Sequence, residues 1–164
     1  VFVFGGLCVM AEGRCALSTY ATGVSPNMHG ACSPAGHVSY VEEDGALVSR
    51  LGGYTLHRVG PKEPAPYPTL CKGCFRVGGQ EGHVFEDPAS LDAAALLPEL
   101  AAAGVTALKI EGRQRSRAYV SQIVRSFRAA VDALEAGLPM PPAARARLSE
   151  GQANTTGAYD KRWR

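Results

Sequence analysis

Five cysteines are the residues of this 164-residue chain whose type and spacing could do chemistry. Four are spaced as Cys8-x6-Cys15-x16-Cys32-x38-Cys71, and Cys74 follows three residues after the last of them. Thiolate sulphur is the ligand that cluster iron prefers, and a cubane cluster takes four such ligands. The sequence around the first three cysteines is rich in Gly, Ser and Pro, as in loops that wrap an inorganic core. The spacing is therefore compatible with an iron–sulphur centre.

Spacing alone leaves other interpretations of the cysteines open. The odd count and the lack of any secretion signal argue against a disulfide framework, so we expect a cytoplasmic protein with reduced thiols. A lone cysteine is usually a small core residue. Cys71-Lys72-Gly73-Cys74 resembles half of a zinc knuckle, and it also has the spacing of a redox pair, although no clear helix follows it.

Composition excludes some classes of function. The hydrophobic fraction is 46% and the charged fraction 20%, which is typical of a globular domain. A net charge of +2 is too small to indicate a nucleic-acid groove. No apolar run approaches the roughly 18 residues of a membrane-spanning helix. The sequence contains no nucleophile elbow and no His-Glu-x-x-His, so proteolysis is not favoured.

The first half of the chain predicts a strand, a long loop and a small antiparallel sheet. Residues 1–8 indicate a buried strand; because the chain opens without Met, we expect a fragment of a larger protein. Residues 9–36 show no period, which is typical of a functional loop. Asp44-Gly45 predicts a hairpin, and Gly78-Gly79 predicts a further turn. The strands of the predicted sheet are 38–41, 47–51 and 54–59.

The second half predicts a helix, a strand and a helix. Ser90 is a suitable N-cap for a helix from Leu91 to about Ala103, which Pro98 should kink or divide. Residues 105–110 indicate a short buried strand. The last helix ends at Gly137 and carries one apolar stripe formed by Tyr119, Val120, Ile123, Val124, Phe127, Val131 and Leu134.

These elements predict an α/β fold. The helix, strand and helix at 91–136 are typical of the closing units of an α/β barrel or of a doubly wound sheet. We expect the C-terminal part of a TIM-like barrel with a small antiparallel β insertion and a cluster-binding loop region. Residues 1–80 would form the cluster-binding region with the insertion, 81–140 the closing helix, strand and helix of the barrel, and 141–164 a polar tail.

A second group of candidate residues follows the predicted strand at 105–110. Strand alternation would place Lys109, Glu111 and Arg113 on one face, toward a barrel mouth. The two cations would suit a polycarboxylate substrate. A charge network that closes the barrel is an equally good interpretation.

Several blocks of the sequence resemble the collagenase-like peptidase family, and in particular its ubiquinone-biosynthesis (UbiU) branch. The resemblance covers almost the whole chain and is carried by residues 4–15, 25–27, 30–35, 67–73, 97–100, 109–116, 119–122 and 155–159. RNA-hydroxylating members of the family typically read Gly-x-Cys-x-Gln-Pro-Cys-Arg-Trp at the third cysteine. This chain reads Gly30-Ala31-Cys32-Ser33-Pro34-Ala35, which is similar to the quinone branch.

The resemblance implies a cofactor, a reaction and partners. It implies that Cys8, Cys15, Cys32 and Cys71 ligate a 4Fe–4S cluster, and that an N-terminal half with the earlier barrel strands is missing from this chain. It further implies a subunit of an enzyme that hydroxylates the ubiquinone ring precursor without O2, with prephenate as oxygen donor. The implied partners are a UbiV-like paralogue, in a heterodimer, and a UbiT-like lipid carrier. RNA hydroxylation and the peptidase activity of the family's name are the alternatives.

The chain departs from the family pattern at two positions. Cys74 stands where the resemblance implies no cysteine, so its role stays open between an alternative ligand and a spare thiol. Arg117 stands where the family usually has Pro, which should alter only the start of the last helix.

Overall fold

Residues 1–11, 13–63, 65–141 and 153–160 are described by the structure, a computed structural model. Backbone contacts divide the chain into two compact units. The sheet–helix unit contains residues 1–7 and 89–164, and the cysteine unit contains residues 8–88. The cysteine unit is therefore an insertion in the sequence of the sheet–helix unit, and it carries all five cysteines.

The described residues form nine strands and four α-helices. The strands are β1 (Phe2–Gly6), β2 (Val38–Glu43), β3 (Ala46–Leu51), β4 (Tyr54–Val59), β5 (Cys74–Val77), β6 (Gln80–His83), β7 (Ala89–Asp92), β8 (Lys109–Ile110) and β9 (Ala153–Thr155). The helices are α1 (Leu17–Thr22), α2 (Pro26–His29), α3 (Leu97–Ala102) and α4 (Arg117–Glu135). No helix in the described ranges is long and apolar enough to cross a membrane.

The sheet–helix unit is built on β1, as its apolar sequence predicts. The strand order is β8-β1-β7-β9, with β1 parallel to β8 and antiparallel to β7, and β7 parallel to β9. Val3 and Phe4 of β1 are fully buried. The ring of Phe4 packs edge-on against Phe127 of α4, with ring centroids 5.9 Å apart. The apolar face of α4 thus covers this sheet.

Helix α4 confirms the predicted periodicity in its central part. Ile123, Phe127 and Ala130 are buried, whereas Val120 and Val124 of the predicted stripe are exposed. Ser116 caps the helix, because its Oγ accepts a hydrogen bond from the Tyr119 N–H at 3.2 Å. The helix begins at the residue after the cap, so Arg117 is accommodated in its first turn.

Three sequence predictions in this unit are wrong. Residues 89–92 form a strand rather than a helix start, because β7 lies between β1 and β9 and buries Ser90 and Leu91. The α-helix is confined to Leu97–Ala102, and Pro98 lies in its first turn, where it causes no kink. The strand predicted at 105–110 is only Lys109–Ile110. The polar tail contains β9, which the sequence did not indicate; residues 142–152 and 161–164 lie outside the described residues.

The cysteine unit confirms the predicted antiparallel sheet. Strands β2, β3 and β4 lie in that order, and Asp44-Gly45 forms the first turn with positive φ at both residues. Leu51, Leu56 and Leu70 form the buried core. A second hairpin, β5–β6, turns at the predicted Gly78-Gly79, but its strands were not predicted. The loop predicted at 9–36 contains the two short helices α1 and α2.

The described residues form three separate sheets in a mixed α/β arrangement. Closure of the sheet–helix unit into a TIM-like barrel stays a prediction.

We predict that Gly52→Ala destabilises the cysteine unit by about 2 kcal/mol or more. Gly52 has a φ of +60°, and a Cβ there would lie 2.2 Å from the carbonyl oxygen of Ala21 in α1. Gly53→Ala is the matched control, since a Cβ at Gly53 meets nothing within 4 Å. The measurement is the free energy of unfolding in urea. Equal stability of the two variants would contradict this account of the turn.

Candidate metal centre

All four predicted ligands lie in the cysteine unit, at points where the chain is irregular. Cys8 follows β1, Cys15 precedes α1, and Cys32 follows α2. Cys71 is in a 3-10 turn, Leu70–Lys72. Cys8 and Cys32 are exposed, and the other two are half-buried. None of the five cysteines, all of which are in described ranges, forms a disulfide.

The thiols of the four predicted ligands interact electrostatically. Burial raises the pKa of Cys71 to about 12; the charge of Lys72 opposes this rise, and Cys32, Cys8 and Cys15 add to it. An interaction with each of these three thiols requires all of them to lie near Cys71. Cys8, Cys15 and Cys32 thus lie within electrostatic range of Cys71, although up to 63 positions separate the four residues in the sequence. The ligand assignment itself stays a prediction.

Cys74 differs from the other four cysteines. It is exposed, it begins β5, and its register partner is His83 of β6. It is not among the groups that act on the Cys71 thiol. The Cys71-Cys74 pair therefore gives no sign of acting as one half of a knuckle.

The donor set fits an electropositive cluster. A thiol with a pKa of about 12 is protonated at neutral pH, whereas cysteine binds a metal as the thiolate. An iron core bound by the four sulphur atoms would balance the negative charge of the thiolates, whose formation burial and mutual repulsion oppose. Within the described residues, no group of three or more His, Cys, Asp or Glu side chains could hold one metal ion. Ligands of a cubane bind different iron atoms, so they need not converge on one point as the ligands of a single ion do.

Side-chain hydrogen bonds to the backbone hold the ligand loops together. Ser18 of α1 donates from Oγ to the Cys32 carbonyl at 2.6 Å. The next residue, Ser33, is fully buried and donates to the Pro68 carbonyl at 2.7 Å. Tyr67 donates its hydroxyl to the Ser33 carbonyl at 3.0 Å. These bonds connect α1, the loop of Cys32 and the segment that leads to Cys71, and their roles were not predicted from the sequence.

A histidine pair lies beside the turn that follows Cys71. The Nδ1 of His83 is 3.1 Å from the Lys72 carbonyl and 3.2 Å from the Gly73 carbonyl, so a proton on Nδ1 can be donated to either. The rings of His83 and His57 are 6.5 Å apart between centroids. Burial, and to a smaller extent the nearby His83, lower the pKa of His57 to about 4. His57 is thus a buried residue of the cysteine unit.

The residues proposed to bind substrate lie in the sheet–helix unit. Lys109 is exposed in β8, which ends at Ile110. The prediction of a single strand face for all three residues is therefore wrong beyond that point. Glu111 is half-buried beside Gly5, where a Cβ would lie 2.6 Å from the Cβ of Glu111. The Arg113 N–H donates to Glu111 Oε1 at 2.7 Å, so this carboxylate has a local structural role.

Because burial lowers the pKa of His57 to about 4, we predict an acid-sensitive contribution to stability. In the unfolded chain His57 has its ordinary pKa of 6.5, so between about pH 6.5 and 4 the unfolded state binds a proton that the folded state does not. Stability should therefore be lost as the pH falls through this range. His57→Gln should flatten this part of the pH profile of the free energy of unfolding. The exposed His37→Gln is the control. An unchanged slope in His57→Gln would contradict the assignment.

Comparisons with known proteins place the chain in a family. Residues 1–158 match the model of Peptidase family U32. The tRNA hydroxylation protein P of Haemophilus influenzae is 29% identical, over 85% of this chain and 34% of that protein. The corresponding figures for the tRNA hydroxylation protein P of Escherichia coli are 30%, 85% and 34%. The 23S rRNA 5-hydroxycytidine C2501 synthase of Escherichia coli is 30% identical, over 81% of the chain and 16% of that protein.

The chain therefore spans about a third or less of the length of these relatives. No solved structure gives a significant match. The names of these relatives agree with the prediction that the protein takes part in a hydroxylation. The resemblance seen in the sequence motifs is confirmed: the chain belongs to peptidase family U32.

Proposed function

We propose that this chain is the cluster-binding part of a 4Fe–4S protein that supports hydroxylation of the ubiquinone ring precursor without O2. The observation that carries the proposal is that Cys8, Cys15, Cys32 and Cys71 lie in one compact unit, with the first three within electrostatic range of Cys71. Relatives named for hydroxylation support the reaction class. The sequence at residues 30–35 supports the quinone branch.

The chemistry follows from what these residues can do. A cluster with four cysteine ligands has no open iron position, and it supplies one-electron transfer when bound. The buried Lys72 favours the ionised form of the Cys71 thiol and so favours its use as a ligand. The buried Ser33 holds the preceding residue, Cys32, against the segment that carries Pro68. The chain itself would thus contribute the four cysteine ligands and, in Lys72, a positive charge that balances part of theirs.

The proposed reaction needs partners that supply the second cluster, the prenylated ring and the oxygen atom. We propose a UbiV-like paralogue in a heterodimer, a UbiT-like lipid carrier, and prephenate as oxygen donor. Lys109 and Arg113 are cations that could pair with the carboxylates of prephenate. In this proposal the chain is a subunit of the hydroxylase rather than the whole enzyme.

RNA hydroxylation is the second candidate function. The names of the relatives in Haemophilus influenzae and Escherichia coli favour it. The net charge of +2 gives it no support, because RNA-binding affinity rests largely on contacts of basic residues with phosphates.

The cluster is tested by iron, sulphide and zinc analysis of the full-length protein purified without oxygen. We expect about four iron and four sulphide per chain. Cys8→Ala should lose most of the cluster, because it removes a ligand. Cys74→Ala is the matched control and should keep it, since Cys74 is not among the groups that act on Cys71. One zinc and no sulphide would instead indicate a structural metal protein.

The substrate is tested in cells that lack the full-length protein and grow without oxygen. We expect a loss of ubiquinone with unchanged hydroxylated nucleosides in tRNA and rRNA, both measured by mass spectrometry. If Arg113 binds the oxygen donor, the same cells expressing the Arg113→Ala variant should hydroxylate the ring at least about tenfold less than cells expressing the unaltered protein. The variant should keep its normal cluster content. Arg125→Ala, an exposed change on α4, is the control. Loss of RNA hydroxylation with normal ubiquinone would overturn the quinone assignment in favour of the second candidate.

A further inference from the structure

A side-chain amide closes a ring of two hydrogen bonds around one predicted ligand. The N–H of Cys15 donates to Oδ1 of Asn27 at 3.1 Å. In return, Nδ2 of Asn27 donates to the carbonyl oxygen of Cys15 at 3.0 Å. Both backbone polar groups of Cys15 are thereby fixed by one residue that lies 12 positions away in the sequence.

Cys15 lies where regular structure supplies little support. Gly13, two residues earlier, has a φ of +72°, and Ala16, the N-cap of α1, makes no side-chain capping bond. The two bonds from Asn27 replace what a strand partner would give, since a side-chain amide presents an N–H donor and a carbonyl acceptor side by side. They fix the backbone of Cys15 and hence the direction of its Cα–Cβ bond.

Asn27 is itself held on a short, rigid turn. Pro26 occupies the first turn of α2, and Gly30 ends that helix in the left-handed conformation. The Gly30 N–H donates to the Pro26 carbonyl at 2.9 Å. The amide of Asn27 is therefore presented from a backbone that Pro and Gly restrict on either side.

We propose that Asn27 is a positioning residue for the cluster: it holds Cys15 in its ligand conformation and engages the Cys15 N–H. This inference rests on the proposed function. An N–H that donates to a cluster sulphur raises the reduction potential, and this N–H instead donates to Asn27. Removal of the amide would loosen the thiolate and release the N–H toward the cluster.

The variants separate these two effects. Asn27→Ala removes both bonds, so we expect cluster loss in air to be about tenfold or more faster, and the reduction potential of the remaining cluster to rise. Asn27→Asp keeps the acceptor for the Cys15 N–H and adds a negative charge, so it should partly rescue cluster retention and lower the potential. Met28→Ala is the matched control, because Met28 is the next residue of α2 and its side chain is 83% exposed.

Three properties of the full-length protein are measured: the rate at which the cluster absorbance bleaches, the reduction potential and the electron paramagnetic resonance spectrum. Far-UV circular dichroism checks that each variant is folded. Bleaching, potential and spectrum of both Asn27 variants equal to those of Met28→Ala would overturn the inference alone. A tenfold loss in Asn27→Ala without any rescue or change of potential in Asn27→Asp would also overturn it, in favour of a purely structural residue. An unaltered protein without iron and sulphide would overturn the proposed function and this inference with it.

Discussion

Mutual repulsion among thiolates is the constraint on which the candidate centre depends. A half-buried Cys71 whose pKa is raised to about 12 by burial and by three neighbouring thiols is not a stable place for negative charge. All four lie in one compact unit of the fold, two of them exposed and two half-buried. Four neighbouring thiolates would be unfavourable in the bare protein, where the Cys71 thiol stays protonated, and become favourable when a positive core binds them, since metal binding is coupled to loss of the ligand protons. The charge of Lys72 reduces this repulsion but does not remove it.

The loops that carry the predicted ligands are irregular, so side chains must form the hydrogen bonds to the backbone that sheets and helices supply elsewhere. Ser18, Ser33 and Tyr67 each donate to a backbone carbonyl of another loop. Buried backbone groups need such partners, because an unpaired buried carbonyl lowers stability. The three-stranded sheet and its small core of Leu51, Leu56 and Leu70 then serve as the rigid support on which these loops rest.

The sequence predicted the parts of the fold that have a local cause. The Asp44-Gly45 hairpin and the periodic stripe of α4 depend on neighbours within a few residues, and both are present. The helix predicted from Ser90 failed because capping chemistry and a short apolar run do not distinguish a helix start from a strand buried between two others. Strand β9 could not be predicted either, since it pairs in register with β7 from about 64 positions away.

The candidate centre, too, was predicted only where residue types and spacing are sufficient. Cysteine types and spacing limited the ligand set, and the family resemblance reduced it to four of five. The bonds that place those ligands were not visible, because a contact between Asn27 and Cys15 leaves no period in the sequence. Proximity in sequence was even misleading: Cys74 is three residues from Cys71, yet Cys8, Cys15 and Cys32 act on that thiol and Cys74 does not. A Cβ at Gly73 would lie 2.6 Å from the ring of Phe75 and 3.1 Å from Leu56, so the chain passes tightly against the core between the two cysteines.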